Sequence, residues 1–181
     1  LEVSEFFQNP AVNKGNQMAD NAATLLNFSE AKVGGQAIGN KNVQSVHVVD
    51  EVVIANKMSD PDDPNRVDVS GSVPDAVYAR QIGATENDSV VAYLVPSADT
   101  NGVYDLYIAG VGGVKAPVNS NYLFGEEVSY YGPKVTNYKT IDLTALDTTG
   151  VTSMKGWFAG NENLTGGIVF GDKFDTSQVI D

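Results

Sequence analysis

The chain has 181 residues, a formal net charge of −12, a pI near 4.3 and no cysteine. This length suits one domain or two small ones and can bury a core without staples. Lack of cysteine excludes disulfides, thiolate nucleophiles and Cys-ligated metals, and the acidity opposes binding to nucleic-acid phosphates and anionic lipid heads.

Residues 1–14 read as irregular and hold Phe6-Phe7, a candidate arm for self-assembly on another subunit. The chain opens on Leu1 with no basic-then-apolar signal, which fits a mature form, a proteolytic product or an excised piece. Residues 15–30 predict a helix. Met18, Ala22, Leu25 and Leu26 share one helical face, Ala19 and Ala23 raise the propensity, and Asn13 or Asn16 is the cap.

From Lys32 the pattern turns to β, with Gly34-Gly35 and Gly39-Asn40 as turns. Gln44 to Ala55 is rich in β-branched residues, and Asp50-Glu51 either breaks it into two strands or bulges one. Ser59 to Asn65 carries two prolines and three aspartates, so it reads as an exposed loop and a boundary. Arg66–Val73 and Ala76–Ile82 read as strands. Val90–Val95 and Val103–Ile108 flank Asn101-Gly102, a pair that tolerates positive φ, which predicts an antiparallel hairpin. Gly110–Gly113 is a flexible stretch, and Tyr122–Tyr131 and Val135–Leu143 are further strands. No apolar run approaches the ~18 residues that span a bilayer, so no membrane insertion is expected.

Near the end the chain nearly repeats itself. Leu146-Asp147-Thr148-Thr149-Gly150-Val151 returns as Phe174-Asp175-Thr176-Ser177-Gln178-Val179, an offset of 28 (147 to 175). Between the copies lie Ser153-Met154-Lys155-Gly156-Trp157-Phe158 and Asn161-Glu162-Asn163-Leu164-Thr165. A period of this size suits one supersecondary unit stacked on the next. Residues 137–181 thereby resemble the BspA-type leucine-rich-like repeat of bacterial surface proteins. The resemblance implies an aliphatic strand followed by Phe-Asp-Thr-Ser-x-Val-Thr-x-Met, an aromatic and Asn-Leu-Thr. Val151, Met154, Trp157, Phe158 and Leu164 are expected to point inward, with Met154, Trp157 and Phe158 on one face of a short helix. Asp147 and Asp175 are expected at equivalent turns. One rung is not stable alone, so either a longer array continues it or the β body caps it.

The expected fold is mainly β: a β-sandwich-like body with one N-terminal helix and a C-terminal leucine-rich-like repeat rung. Its segments are 1–58, 66–136 and 137–181.

No constellation dictates a chemistry. His47 is the only histidine and lies between Val46 and Val48, so it reads as a strand residue; with no Cys, a zinc site lacks ligands. Two acidic loops are calcium candidates by oxygen content: Asp60, Asp62 and Asp63 in one, and Asp99, Asn101 and Asp105 around the hairpin tip. Neither matches the EF-hand pattern, and solvated turn residues are the plainer reading. Glu126-Glu127 are a candidate carboxylate pair for glycoside hydrolysis, but adjacent strand residues point to opposite faces. No phosphate-binding glycine motif occurs. Asn27, Asn87 and Asn163 sit in glycosylation sequons. The aromatic set from Tyr104 to Phe158 reads as core or as contact surface.

The expected function is a non-enzymatic surface or extracellular module for interaction or adhesion, part of a larger repeat protein, with a protein or glycan partner. The alternative is a structural subunit of an assembly, such as a phage decoration or fibre protein in a virion, or a filament subunit. A carbohydrate-active enzyme is the last reading. No cofactor is expected, calcium apart.

Overall fold

The computed structural model describes residues 16–85, 90–129 and 132–181. The expected arm over residues 1–14, and Asn87, Tyr130 and Tyr131, lie outside the described residues. The fold is mainly β, with one short helix and mixed and antiparallel sheets.

The helix α1 spans only Ala22–Leu25. The predicted helix over 15–30 is cut at both ends. Met18 bridges Gly83 and donates its N–H to the Lys115 carbonyl, and Ala19 donates to Ile82, so residues 17–19 are held extended. At the other end Asn27 Oδ1 accepts the Ser29 N–H, a local turn that competes with helix. Met18, Ala22 and Leu26 are buried as the periodicity predicts.

Strands β1 (Lys32–Val33) and β2 (Gln36–Ala37) form a hairpin over Gly34-Gly35, both at positive φ. Strand β3 (Val43–Val49) then ends before Asp50, and residues 50–55 are irregular. β4 (Asn56–Lys57) pairs with β5 (Val67–Asp68), and the acidic loop joins them. β6 (Tyr78–Gln81), β7 (Val91–Pro96) and β8 (Tyr104–Ala109) form an antiparallel meander. The predicted hairpin is present: Tyr93 pairs with Tyr107, and Gly102 takes φ +76° beyond the last pair, Pro96–Tyr104. After β9 (Val114–Lys115) come turns over 121–125, where a strand was expected. The hairpin β10 (Glu127–Ser129) and β11 (Gly132–Lys134) follows, then β12 (Thr140–Leu143), β13 (Leu146–Asp147) and β14 (Gly167–Phe170).

Six strands join in the order β14-β12-β3-β8-β7-β6. The contacts β14–β12, β12–β3 and β3–β8 are parallel, and the rest are antiparallel. β3 therefore lies between β8 and β12, so all three expected segments meet in one sheet. Parallel neighbours require long crossovers, which the intervening turns provide.

Alternation along the strands divides two cores. On one face Val46, Val48, Ala92, Leu94, Leu106 and Ile108 join Phe28, Tyr138, Ile141 and Trp157. On the other, Val91, Tyr93 and Ala109 pack under Val67, Val69, Val53 and Ala55 of the β4–β5 region.

The C-terminal segments pair with one another. β12 and β14 are paired at an offset of 27, Thr140 opposite Gly167. Asp147 Oδ1 accepts the Thr149 N–H and Asp175 Oδ1 the Ser177 N–H, the same turn 28 residues on (147 to 175). Thr148 joins them: its N–H donates to the Lys173 carbonyl, and its Oγ1 accepts the Asp175 N–H. Val151 and Trp157 are buried, while Met154, Phe158 and Leu164 are half-buried against them. Residues 155–160 are turns, not the short helix expected. Gly156 at φ +60° lets the chain reverse where the Tyr122 ring leaves no room for a Cβ.

Candidate functional site

The acidic loop and the two strands beneath it make a charged clasp. Asp60 and Asp62 lie in the loop, and the carboxylate of Asp63 turns inward. It accepts hydrogen bonds from Arg80 Nε at 2.6 Å and from the Tyr78 hydroxyl. Arg80 Nη1 also donates to the carbonyls of Leu25 and Asn27, and its guanidinium lies over Phe28. Arg66 bonds Asp60 at 2.9 Å and covers the Tyr78 ring at 4.4 Å. That bond from Arg66, with the Asp62 N–H, holds the Asp60 carboxyl below its usual range. Burial, then the bond to Asp63, pushes Tyr78 up to about 12. Two of the three calcium candidates here are thus bound to arginine. Asp62 is exposed and gives only its N–H to Asp60.

The second calcium set separates. Asp99 and Asn101 are exposed at the hairpin tip, whereas Asp105 turns onto the sheet face and bonds Ser45 and Gln44. Among the described residues no group of three or more His, Cys, Asp or Glu side chains is placed to hold a metal ion.

Strand pairing gives His47 neighbours that local sequence did not. Ser45 and His47 are two apart on one strand face, and β8 brings Asp105 opposite Ser45 and Tyr107 opposite His47. Ser45 Oγ lies 2.6 Å from Asp105 Oδ1 and 2.9 Å from His47 Nε2. The order is carboxylate, hydroxyl, imidazole. A hydroxyl has one proton, so if Asp105 takes it, Nε2 must act as donor and not as the base for Ser45. Ser45 is also 5% exposed, which closes it to substrate. The His47 ring stacks on Tyr107 at 4.8 Å, and Tyr107 on Tyr93 at 5.3 Å, a ladder across three strands.

Glu126 and Glu127 flank a separate cleft of about 620 Å³, also lined by Tyr122, Pro133, Lys134, Val135, Ala159 and Gly160. Its floor forms because the 120–126 segment pairs with the 153–159 segment. Tyr122, Phe124 and Glu126 donate their N–H groups to the carbonyls of Lys155, Trp157 and Ala159. Glu126 lies across Gly160, where a Cβ would come 2.1 Å from its carboxyl carbon. Tyr122 adopts φ +57°, a strained region for a bulky residue. Lys134 is 2% exposed, and its ammonium donates to the carbonyls of Ala23, Tyr122 and Leu123. Burial pushes this amine down to about 8, and Glu127 pulls the other way. A cleft holding carboxylates, a strained tyrosine and a perturbed lysine has the marks of a binding site. Sequence reading picked out the two glutamates, and Tyr122 as one of the aromatic set, but not Lys134. A lysine after proline reads as loop, and nothing local signals the three carbonyls that converge on it.

The remaining aromatics divide. Phe124, Tyr138 and Trp157 are core residues, and Trp157 meets Phe124 and Phe158 edge to face at 5.4 Å. Tyr104 and Tyr107 are half-buried. Of the described sequons, Asn27 is half-buried and Asn163 is exposed. Among the described residues no helix is long and apolar enough to cross a membrane. No family model, no curated protein and no solved structure matches the chain.

Proposed function

We propose that the chain is a non-enzymatic interaction or adhesion module of a surface or extracellular repeat protein. Residues 137–181 form stacked leucine-rich-like rungs on a sandwich-like body. The observation that carries this reading is the pair of matched turns at Asp147 and Asp175, cross-bonded through Thr148. Two copies of one turn, each following a strand that pairs in parallel with the other, are what a stacked repeat requires. The partner is a protein or glycan, and the Tyr122–Glu127 cleft is its candidate contact.

A second reading, a structural subunit, is favoured by one feature. β14 is an edge strand without charge or proline, and Val169 and Phe170 on it are exposed. Sedimentation and solid-phase binding separate the two. A monomer that binds immobilised matrix proteins or glycans saturably supports the module. A large regular assembly without such binding supports the subunit, and turnover of a glycan or peptide substrate would overturn both.

A further inference from the structure

We propose that Asn101 is a site of spontaneous covalent modification, converted to aspartate and isoaspartate through a cyclic imide formed with the backbone nitrogen of Gly102. Asparagine is a thermolabile residue, and its conversion is limited by how easily the next backbone nitrogen reaches the side-chain carbonyl carbon. A following glycine has no Cβ to hinder that approach. Asn101-Gly102 is the one Asn-Gly pair in the chain.

The local structure leaves the reacting groups free. Both residues are exposed at the tip between β7 and β8. Gly102 has open space around it and sits at φ +76°. Neither the Asn101 side-chain amide nor the Gly102 N–H has a partner among the described residues, while Ser97 N–H and the Val103 carbonyl close the loop around them at 2.8 Å. Asn119-Ser120 is the instructive contrast. There the Asn119 Oδ1 is held by the Asn121 N–H, and the Ser120 N–H is tied to the Ser153 carbonyl at 2.9 Å. Ser120 is also only 1% exposed.

The step balances without oxidant or reductant. Base removes the Gly102 amide proton, and the nitrogen attacks Asn101 Cγ. The new N–Cγ bond closes the imide as the Cγ–Nδ2 bond breaks, and ammonia leaves with a proton from water. Water then opens the imide at either carbonyl. One opening gives aspartate and the other isoaspartate, whose main chain runs through the side-chain carbon. The product places a new negative charge beside Asp99. The lengthened loop lies beyond the last strand pair, Pro96–Tyr104, so the sheet tolerates it.

The intact protein is incubated at neutral and mildly alkaline pH, then mapped by peptide mass spectrometry and labelled with an isoaspartyl methyltransferase. The Asn101 peptide is expected to convert with isoaspartate in excess, faster at higher pH, while the Asn119 peptide stays unchanged. Asn101→Gln is expected to abolish the label. The proposal fails if Asn101 stays intact while a synthetic peptide of residues 97–103 converts. It also fails if Asn119 converts as fast as Asn101.

Discussion

The two edges of the six-stranded sheet are finished by opposite chemistry. At β6, arginines, aspartates and a tyrosine interlock and cover the edge with the acidic loop. At β14, a chain of edge-to-face and tilted aromatic rings runs from Phe124 through Trp157 to Phe174 and Phe170, and no described strand pairs with its outer side. A charged clasp depends on each partner being present, because a buried ion without its counter-ion is costly. An aromatic cluster loses area gradually and tolerates change at its rim. Among the described residues, one edge is covered and the other is not.

The sharpest test is at the closed edge. Asp63→Ala strands Arg80, whose side chain is 11% exposed, and is expected to lower stability by about 3–5 kcal/mol in urea unfolding. A cost under 1 kcal/mol would mean the clasp is only a surface pair. At the open edge, Trp157→Ala is expected to cost about 3 kcal/mol, the low end for a buried aromatic. The reason is that the buried Trp157 Nε1–H has no acceptor among the described residues, so its removal also relieves a desolvated donor. If Trp157→Ala proves the more damaging of the two, the contrast is reversed.

Alkaline titration should single out the clasp again. Tyr78 is held at about 12 and ionises near 10 when unfolded, so its stabilisation is present below pH 10 and is lost between 10 and 12. The expected loss is about 1.4 kcal/mol per pH unit for this group. Tyr93, also raised to about 12 by burial, adds the same sign. Lys134 acts oppositely at lower pH. Its folded amine sits at about 8 against an ordinary 10.5, so the unfolded chain holds more protons between those values and stability rises there. In guanidinium melts followed by fluorescence, Tyr78→Phe should flatten the decline above pH 10 by one group's worth. An unchanged slope would remove Tyr78 from the account. The smallest effect is expected at the open rim. Val169 is 52% exposed, so Val169→Lys should change stability by less than about 0.5 kcal/mol. It should also reduce any self-association seen by light scattering. A large loss of stability would show that this edge is covered after all.

What could be read in advance follows how far apart the partners lie. The β7–β8 hairpin was legible because alternation and Asn101-Gly102 are local signals. The burial of Trp157 and the matched Asp147 and Asp175 turns were legible because the motif recurs within the segment. The helix was misjudged in length because Met18 and Ala19 are claimed by residues 82, 83 and 115, which lie far along the chain. Propensity yields to such tertiary bridges. The Asp60–Asp63 loop looked like an ion cradle because Arg80 comes from a later strand. The Ser45–His47–Asp105 contact was half legible. Residues 45 and 47 share a face by alternation, but parallel pairing with β8 sets the third member, and no turn encodes that pairing.

The insertion of β3 between β8 and β12 has a consequence for how the protein is made. β3 leaves the ribosome before its neighbours on both sides, the last of which is Thr140–Leu143. At ordinary synthesis rates the wait from residue 49 to residue 143 is about 5–20 s. During it a strand with Val43, Val46 and Val48 lacks β8 until residue 109 is made and lacks β12 throughout. Nascent-chain stalling before residue 140 should therefore leave a protease-sensitive, chaperone-bound intermediate, and release past residue 143 should let the sheet close.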